Sequence, residues 1–181
     1  MAAPQTVPVH KLTLDDVSAM VEAGILDERA HVELEGGVLV DMVPPGGQHV
    51  GRVEWLNRHF VKAAGEEIAV RVQDSFLIPD GGFYEPDLIV LRPIGDELPK
   101  TAELVVEVAV TSRSRDLEKA ATYAAAAVRE YWIVDVERRE VLVHSDPRPD
   151  GYAAVRRYVL GELVPPPVDV PAVDVAALLG R

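Results

Sequence analysis

The 181-residue sequence contains no cysteine, which excludes disulfides, zinc–thiolate centres and thiol nucleophiles. It is also short of positive charge. Lys and Arg number 18 against 30 Asp and Glu, for a net charge of −12. A surface this acidic opposes tight non-specific binding to DNA or RNA, because such binding sets cations against phosphates. It leaves room for a metal-dependent enzyme, since clustered carboxylates hold a hard cation and the cation restores positive charge locally. No apolar run approaches the roughly 20 residues needed to cross a bilayer. Met1 to Pro8 has no basic residue and no long apolar stretch, unlike a secretory leader. The expectation is a cytoplasmic protein that does not enter a membrane. A Gly-rich phosphate-cradling motif is absent as well.

What is present is a globular composition, 48% hydrophobic and 27% charged, at a length that suits one core. Residues 1–12 read as a flexible lead and residues 13–181 as a single domain. Thr13 and Asp16 form a capping box with Asp in place of Glu, so a short helix follows and ends near Gly24. Residues 31–43 read as a hairpin about Gly36-Gly37. After the break at Pro44 to Gly47, the spacing of Val50, Val53, Leu56, Phe60 and Val61 predicts a helix over 49–64. Strands are expected over 68–78 and 86–91 around a Pro79 to Gly82 loop, then over 104–110. An alanine-rich helix over 115–128 follows Thr111 to Ser114. Strands over 131–134, 141–143 and 152–160 come next, the last of them stopped by Pro165 to Pro167. A short helix over 175–179 completes the order. The whole reads as mixed α/β (α+β), a mixed or largely antiparallel sheet flanked by helices.

Glu107 is the most informative residue. It lies inside Leu104-Val105-Val106-Glu107-Val108-Ala109-Val110, a run apolar on both alternating faces and therefore covered on both sides. A carboxylate there loses hydration and needs a partner, either a cation of the protein or a metal ion, unless the strand is half exposed and Glu107 faces solvent. Asp87, after Pro86 at the start of the preceding strand, is the natural companion. Two carboxylates on neighbouring strands are spaced as one hard cation requires, provided that they converge on one face of the sheet. Asp116, Lys119 and Tyr123 share one face of the following helix, and a surface salt-bridged helix would show the same spacing. His49 follows a proline-glycine break at a helix start. His10, His31, His59 and His144 show no metal-ligand spacing.

Pro86-Asp87 followed by Glu107-Val108-Ala109 resembles the PD-(D/E)xK signature of restriction-endonuclease-like nucleases. That signature places a lysine where this chain has Ala109, on the same side of the strand as Glu107. The Uma2 group of that superfamily is similar on this point. Its members carry an acid in an apolar strand, a Ser/Thr-rich link matching Thr111 and Ser112, and then an Asp and a Lys on the next helix, matching Asp116 and Lys119. Thr13-Leu14-Asp15-Asp16, His31 to Gly37, Pro44-Pro45 with His49, Glu130 to Asp135, Gly151-Tyr152 and Gly161-Glu162 extend the resemblance along nearly the whole chain.

The resemblance implies a restriction-endonuclease-like fold and a metal-dependent endonuclease acting on nucleic acid, with DNA the expected substrate. It assigns catalytic roles to Glu33, Asp87, Glu107 and Lys119. Asp87 and Glu107 would be the main ligands of Mg²⁺ or Mn²⁺, helped by Glu33 directly or through water. Lys119 would orient or help deprotonate the attacking water, or stabilise developing charge, with Asp116 holding its ammonium. As a surface residue, its removal should cost no more than about 0.5 kcal/mol. Glu35, His49, Asp116 and Tyr123 are accessory candidates, and Arg113 and Arg115 are placed to hold substrate phosphates. Two other classes stay open: an inactive nuclease-fold protein serving as a binding or regulatory module, and a site for a non-nucleic phosphate ester or for metal alone. The alanines at 120, 121 and 124–127 suggest close packing against the sheet or a second copy, hence an expected homodimer.

Overall fold

The computed structural model describes residues 9–180. In chain order its elements begin with α1 (Leu14–Glu22), β1 (Val32–Glu35), β2 (Val38–Asp41) and α2 (Gly47–Ala63). Four short strands follow: β3 (Ala69–Arg71), β4 (Phe76–Leu77), β5 (Phe83–Tyr84) and β6 (Leu88–Leu91). Then come β7 (Leu104–Ala109), α3 (Arg113–Ala125), β8 (Glu130–Asp135), β9 (Glu140–Arg148) and β10 (Gly151–Val159). The chain finishes with β11 (Leu163–Val164), β12 (Val173–Asp174) and α4 (Val175–Leu179).

The large sheet has six strands in the order β10-β9-β8-β7-β6-β3, antiparallel throughout except for the parallel pair β7 and β8. A parallel pair needs a crossover, and α3 supplies it. Every residue of β6 and β7 is buried, as the unbroken apolar runs require of strands covered on both faces. On one face Leu88, Val106, Val108 and Trp132 pack against Val53, Leu56 and Phe60 of α2 and Leu178 and Leu179 of α4. On the other, Ile89, Val105, Ala109 and Ile133 meet Tyr123 and Ala126 from the α3 side, with Phe76 and Tyr84 of the small sheet.

That small sheet has the order β2-β1-β5-β4. Gly36 and Gly37 both take positive φ at the β1–β2 turn, the type of turn expected of a Gly-Gly hairpin. Gly82 lies so close to the Leu34 carbonyl that a Cβ there would stand 1.9 Å from its oxygen, so only glycine lets β5 pair with β1. The Thr13–Asp16 capping box is formed, and α1 packs through Val17 on Leu34 and Phe83.

Three expectations change. The strand read over 68–78 is two strands in different sheets. The chain turns between them at Gln73, which has a φ of 49°, and an Arg71–Asp74 ion pair of 2.9 Å braces the turn. The Pro79 to Gly82 loop therefore joins a small hairpin, β4 to β5. β10 is not the last strand, because the proline stretch separates β11 from β12, which pair with each other. Of the lead read over 1–12, residues 1–8 lie outside the described residues, while the Leu12 N–H donates to the Gly37 carbonyl at 2.9 Å. Of the alanines on α3 and its end, Ala124 and Ala126 are buried within the chain, and Ala121, Ala125 and Ala127 face outward.

Candidate active site

Seven charged side chains, apart from His144, are buried among the described residues: Asp135 and Glu140 at one end of the large sheet, and Glu33, Asp87, Glu107, Asp116 and Lys119. Charged residues are almost never buried without partners, so the contacts among the last five define the site. Asp87 directly precedes β6. The β6–β7 register, Leu88 opposite Val106, sets Asp87 across from Glu107, and opposed residues of an antiparallel pair share a face. By strand alternation this is the face of Val105 and Ala109, onto which α3 packs.

Asp87 is pinned through one oxygen. Its Oδ2 accepts the Val108 backbone N–H at 2.8 Å and lies 2.9 Å from His49 Nε2, at the start of α2. Glu107 is likewise held through Oε1, which accepts from Lys119 Nζ at 3.0 Å and from the Tyr123 hydroxyl at 3.2 Å. Glu33 is engaged through both oxygens. Oε1 accepts Lys119 Nζ at 2.8 Å and the Glu85 N–H at 3.1 Å, and Oε2 pairs with Arg115. Asp116 Oδ2 accepts the Ser112 hydroxyl at 2.6 Å. Glu35 accepts the Tyr84 hydroxyl at 3.0 Å, and Lys119 Nζ stands 4.8 Å from the Tyr84 ring centroid, within cation–π range.

The structure thus gathers Glu33, Asp87, Glu107, Lys119, His49, Asp116, Tyr123 and Arg115 around one place, with Glu35 one shell out through Tyr84. Two readings of the helix are corrected. Lys119 is not a surface residue, because it is 3% exposed beneath the small sheet. Its ammonium is held by Glu33 and Glu107 rather than by Asp116, whose carboxylate turns back to Ser112. The arginines are also drawn inward. Arg115 pairs with Glu33, and Arg113 Nε lies 2.9 Å from Asp135 Oδ2. Tyr84 and the Glu85 amide escaped sequence reasoning, as they fall in a stretch without a periodic signal. A Phe-Tyr pair just after Gly81-Gly82 was the one available cue.

The electrostatics show a site with surplus negative charge. Burial pushes the Glu107 carboxyl up; Lys119 opposes this, while Asp87, Asp116 and Glu33 add to it. Burial likewise raises Asp116, against the Ser112 hydrogen bond. Burial alone would lower the Lys119 pKa, yet Glu107 and Glu33 outweigh it and hold the amine protonated. The hydrogen bond to Asp87 raises His49, against its own burial. Burial pushes the Tyr84 phenol up to about 12, so it stays a donor.

Asp87 Oδ1 and Glu107 Oε2 carry no hydrogen bond among the described residues. Two hard oxygens facing unrelieved negative charge fit a divalent cation such as Mg²⁺ or Mn²⁺. Among the described residues no group of three His, Asp or Glu side chains is placed to hold a metal by itself. The fit is therefore to an ion that keeps water and phosphate oxygens alongside one or two carboxylates, which is the habit of Mg²⁺.

Comparison with known proteins gives a family and a fold. The Uma2 family model, described as "Putative restriction endonuclease", matches residues 18–177. A solved structure described as "a putative nuclease belonging to DUF820" from Anabaena variabilis ATCC 29413 is similar with a TM-score of 0.72 at 15% identity. The match covers 93% of this chain and 98% of that one, and at such identity it shows a shared fold. No curated protein matches the chain. Among the described residues no helix is long and apolar enough to cross a membrane.

Proposed function

Since this chain belongs to the Uma2 family, we propose that it is a metal-dependent endonuclease that hydrolyses phosphodiester bonds of nucleic acid, with DNA as substrate. The observation that carries the reading is the opposed pair Asp87 and Glu107, each held through one oxygen and, among the described residues, without a hydrogen bond on the other, with a buried lysine alongside. A Mg²⁺ or Mn²⁺ ion on those oxygens would polarise the phosphate and acidify a water. Asp87 and Glu107 are the proposed ligands. Val108 N–H and His49 fix the Asp87 rotamer, and Tyr123 and Lys119 fix that of Glu107.

Lys119 fills the place that Ala109 leaves without a cation. Its amine is held protonated, so it serves as a donor and not as the base. An ammonium has three N–H groups. Two go to Glu33 and Glu107, and the third is left to orient the attacking water or to meet charge on the phosphate. Glu33, with both oxygens engaged, acts in this reading by positioning Lys119 and Arg115, with any metal contact made through water.

The test is incubation of the purified chain with supercoiled plasmid, linear duplex and single strands in Mn²⁺, Mg²⁺ or EDTA. Cleavage with metal and none in EDTA is expected. Intact substrates in every metal would favour a second reading, a nuclease-fold binding module. One observation speaks for that alternative: Glu33 and Glu107 already have an internal cation in Lys119. A homodimer is a separate proposal that rests on the outward Ala121 and Ala125 of α3, and a monomeric mass by light scattering removes it.

A further inference from the structure

The carboxylate site explains how a phosphate might be cut, yet a chain of net charge −12 also needs somewhere to hold a polyanion. Four arginines stand at one end of the large sheet. β7 and β8 run parallel, so Ala109 and Asp135 leave the sheet side by side. Around that end stand Arg113 in the first turn of α3, Arg138 and Arg139 in the β8–β9 turn, and Arg157 on β10. Two buried carboxylates serve three of them. Arg113 Nε and Arg138 lie 2.9 and 3.2 Å from Asp135 Oδ2, and Arg157 lies 3.5 Å from Glu140 Oε2. The Arg113 Nε–H is buried and forms no hydrogen bond despite that short distance, so its direction does not match the carboxylate.

Arg139 differs from these three. It is exposed and has no ion-pair partner among the described residues. It also sits at a φ of 55°, a conformation that glycine or asparagine holds with less strain. Beside it opens a cavity of about 570 Å³, whose walls include Gln48, Arg52, Thr111, Arg139 and Gly180 and, as the one carboxylate, Glu137. Gln48 is the chain neighbour of His49, and Thr111 is that of Ser112. His49 reaches Asp87 and Ser112 reaches Asp116, so the chain at two places in the cavity wall leads directly into the carboxylate site.

We propose that this cavity holds the DNA backbone next to the scissile bond, with Arg139 as its phosphate contact. The proposal rests on the nuclease reading and adds to it the path of the substrate. A phosphate there would pair with Arg139, the one arginine of the four that has no ion pair among the described residues. The backbone then runs past Thr111 towards Asp87 and Glu107.

The test is binding of a fluorescent DNA duplex over a salt series in Ca²⁺, by the parent and by Arg139→Gln, Arg139→Lys and Arg148→Gln. Arg148 is an exposed arginine paired with Asp146 at the far end of β9, and serves as the control for bulk charge. Arg139→Gln is expected to weaken binding roughly three- to tenfold and to lower the log–log salt slope by about 0.9, one phosphate's worth. Arg139→Lys should restore most of both, and Arg148→Gln should match the parent. Unchanged binding and slope in Arg139→Gln, or an equal loss in Arg148→Gln, would overturn the cavity proposal while leaving a parent that cuts DNA as a nuclease. A parent that neither binds nor cuts would overturn both.

Discussion

Lys119 Nζ stands 3.0 Å from Glu107 Oε1, reaching from α3 to the strand position beside Ala109, where no cation is available. The same ammonium bonds Glu33, 86 residues away in the chain, and so ties the small sheet to the large one. Removing it leaves the buried Glu107 without a cation, held by the Tyr123 hydroxyl alone, and leaves Glu33 to Arg115 and the Glu85 N–H. Lys119→Ala should therefore destabilise the fold by about 3 kcal/mol, far more than a surface lysine would, and should lower metal-dependent cleavage at least ~100-fold. Denaturant unfolding and plasmid cleavage, run at a temperature where the variant stays folded, check the two effects separately.

Asp116 points to the opposite sign for stability. Burial disfavours its charged form, and its one direct side-chain bond is to Ser112. Asp116→Asn keeps the shape and removes a like charge from the cluster. In metal-free buffer it should raise stability by about 1 kcal/mol, read as a higher denaturation midpoint, while cleavage falls. A loss of stability would mean that the Asp116 charge supports Lys119 after all.

The end of α3 carries a small, separable defect. Val128 N–H reaches the Tyr123 carbonyl at 3.0 Å and Ala127 N–H the Ala124 carbonyl at 2.9 Å, the two bonds of a Schellman cap, with Ala127 at a φ of 56°. A glycine belongs at that position. Ala127→Gly should stabilise by about 0.5–1 kcal/mol without touching cleavage, measurable by thermal or denaturant unfolding.

His144 gives a pH dependence outside the site. Burial among Tyr131 and Tyr152 lowers its pKa, partly opposed by its bond to the Tyr131 carbonyl. The unfolded chain takes up this proton near the ordinary value of about 6.5, and the folded chain only at lower pH. Its contribution to stability is therefore intact above about pH 6.5, declines as the pH falls below that, and levels off once the folded histidine is protonated. The stability difference between His144→Gln and the parent should shift in favour of the variant between about pH 7 and pH 5. A difference that stays constant over that range would contradict the assignment.

Elements with local causes were legible in the sequence. The Thr13–Asp16 box, the Gly36-Gly37 turn and the fully apolar Leu104 to Val110 run each depend on neighbours in the chain, and each appears where expected. Asp87 and Glu107 were legible as a pair because a strand start and a buried strand acid already constrain each other. The partners were not. Lys119 looked like a surface lysine on an α3 face shared with Asp116, since nothing near it in sequence reveals that β1 crosses above and brings Glu33 to its ammonium. The split of 68–78 into β3 and β4 was hidden for the same reason, because a strand's change of sheet is decided by long-range pairing and not by the period of its side chains.

The most direct test of the account is a crystal structure soaked in Mn²⁺, with the ion located by its anomalous scattering. The expected result is a peak roughly 2.1 Å from Asp87 Oδ1 and from Glu107 Oε2, with Lys119 still bonded to Glu107 Oε1 and the peak absent in Glu107→Ala. A fully soaked crystal of the parent with no peak between these carboxylates, or with the ion bound elsewhere, would contradict it.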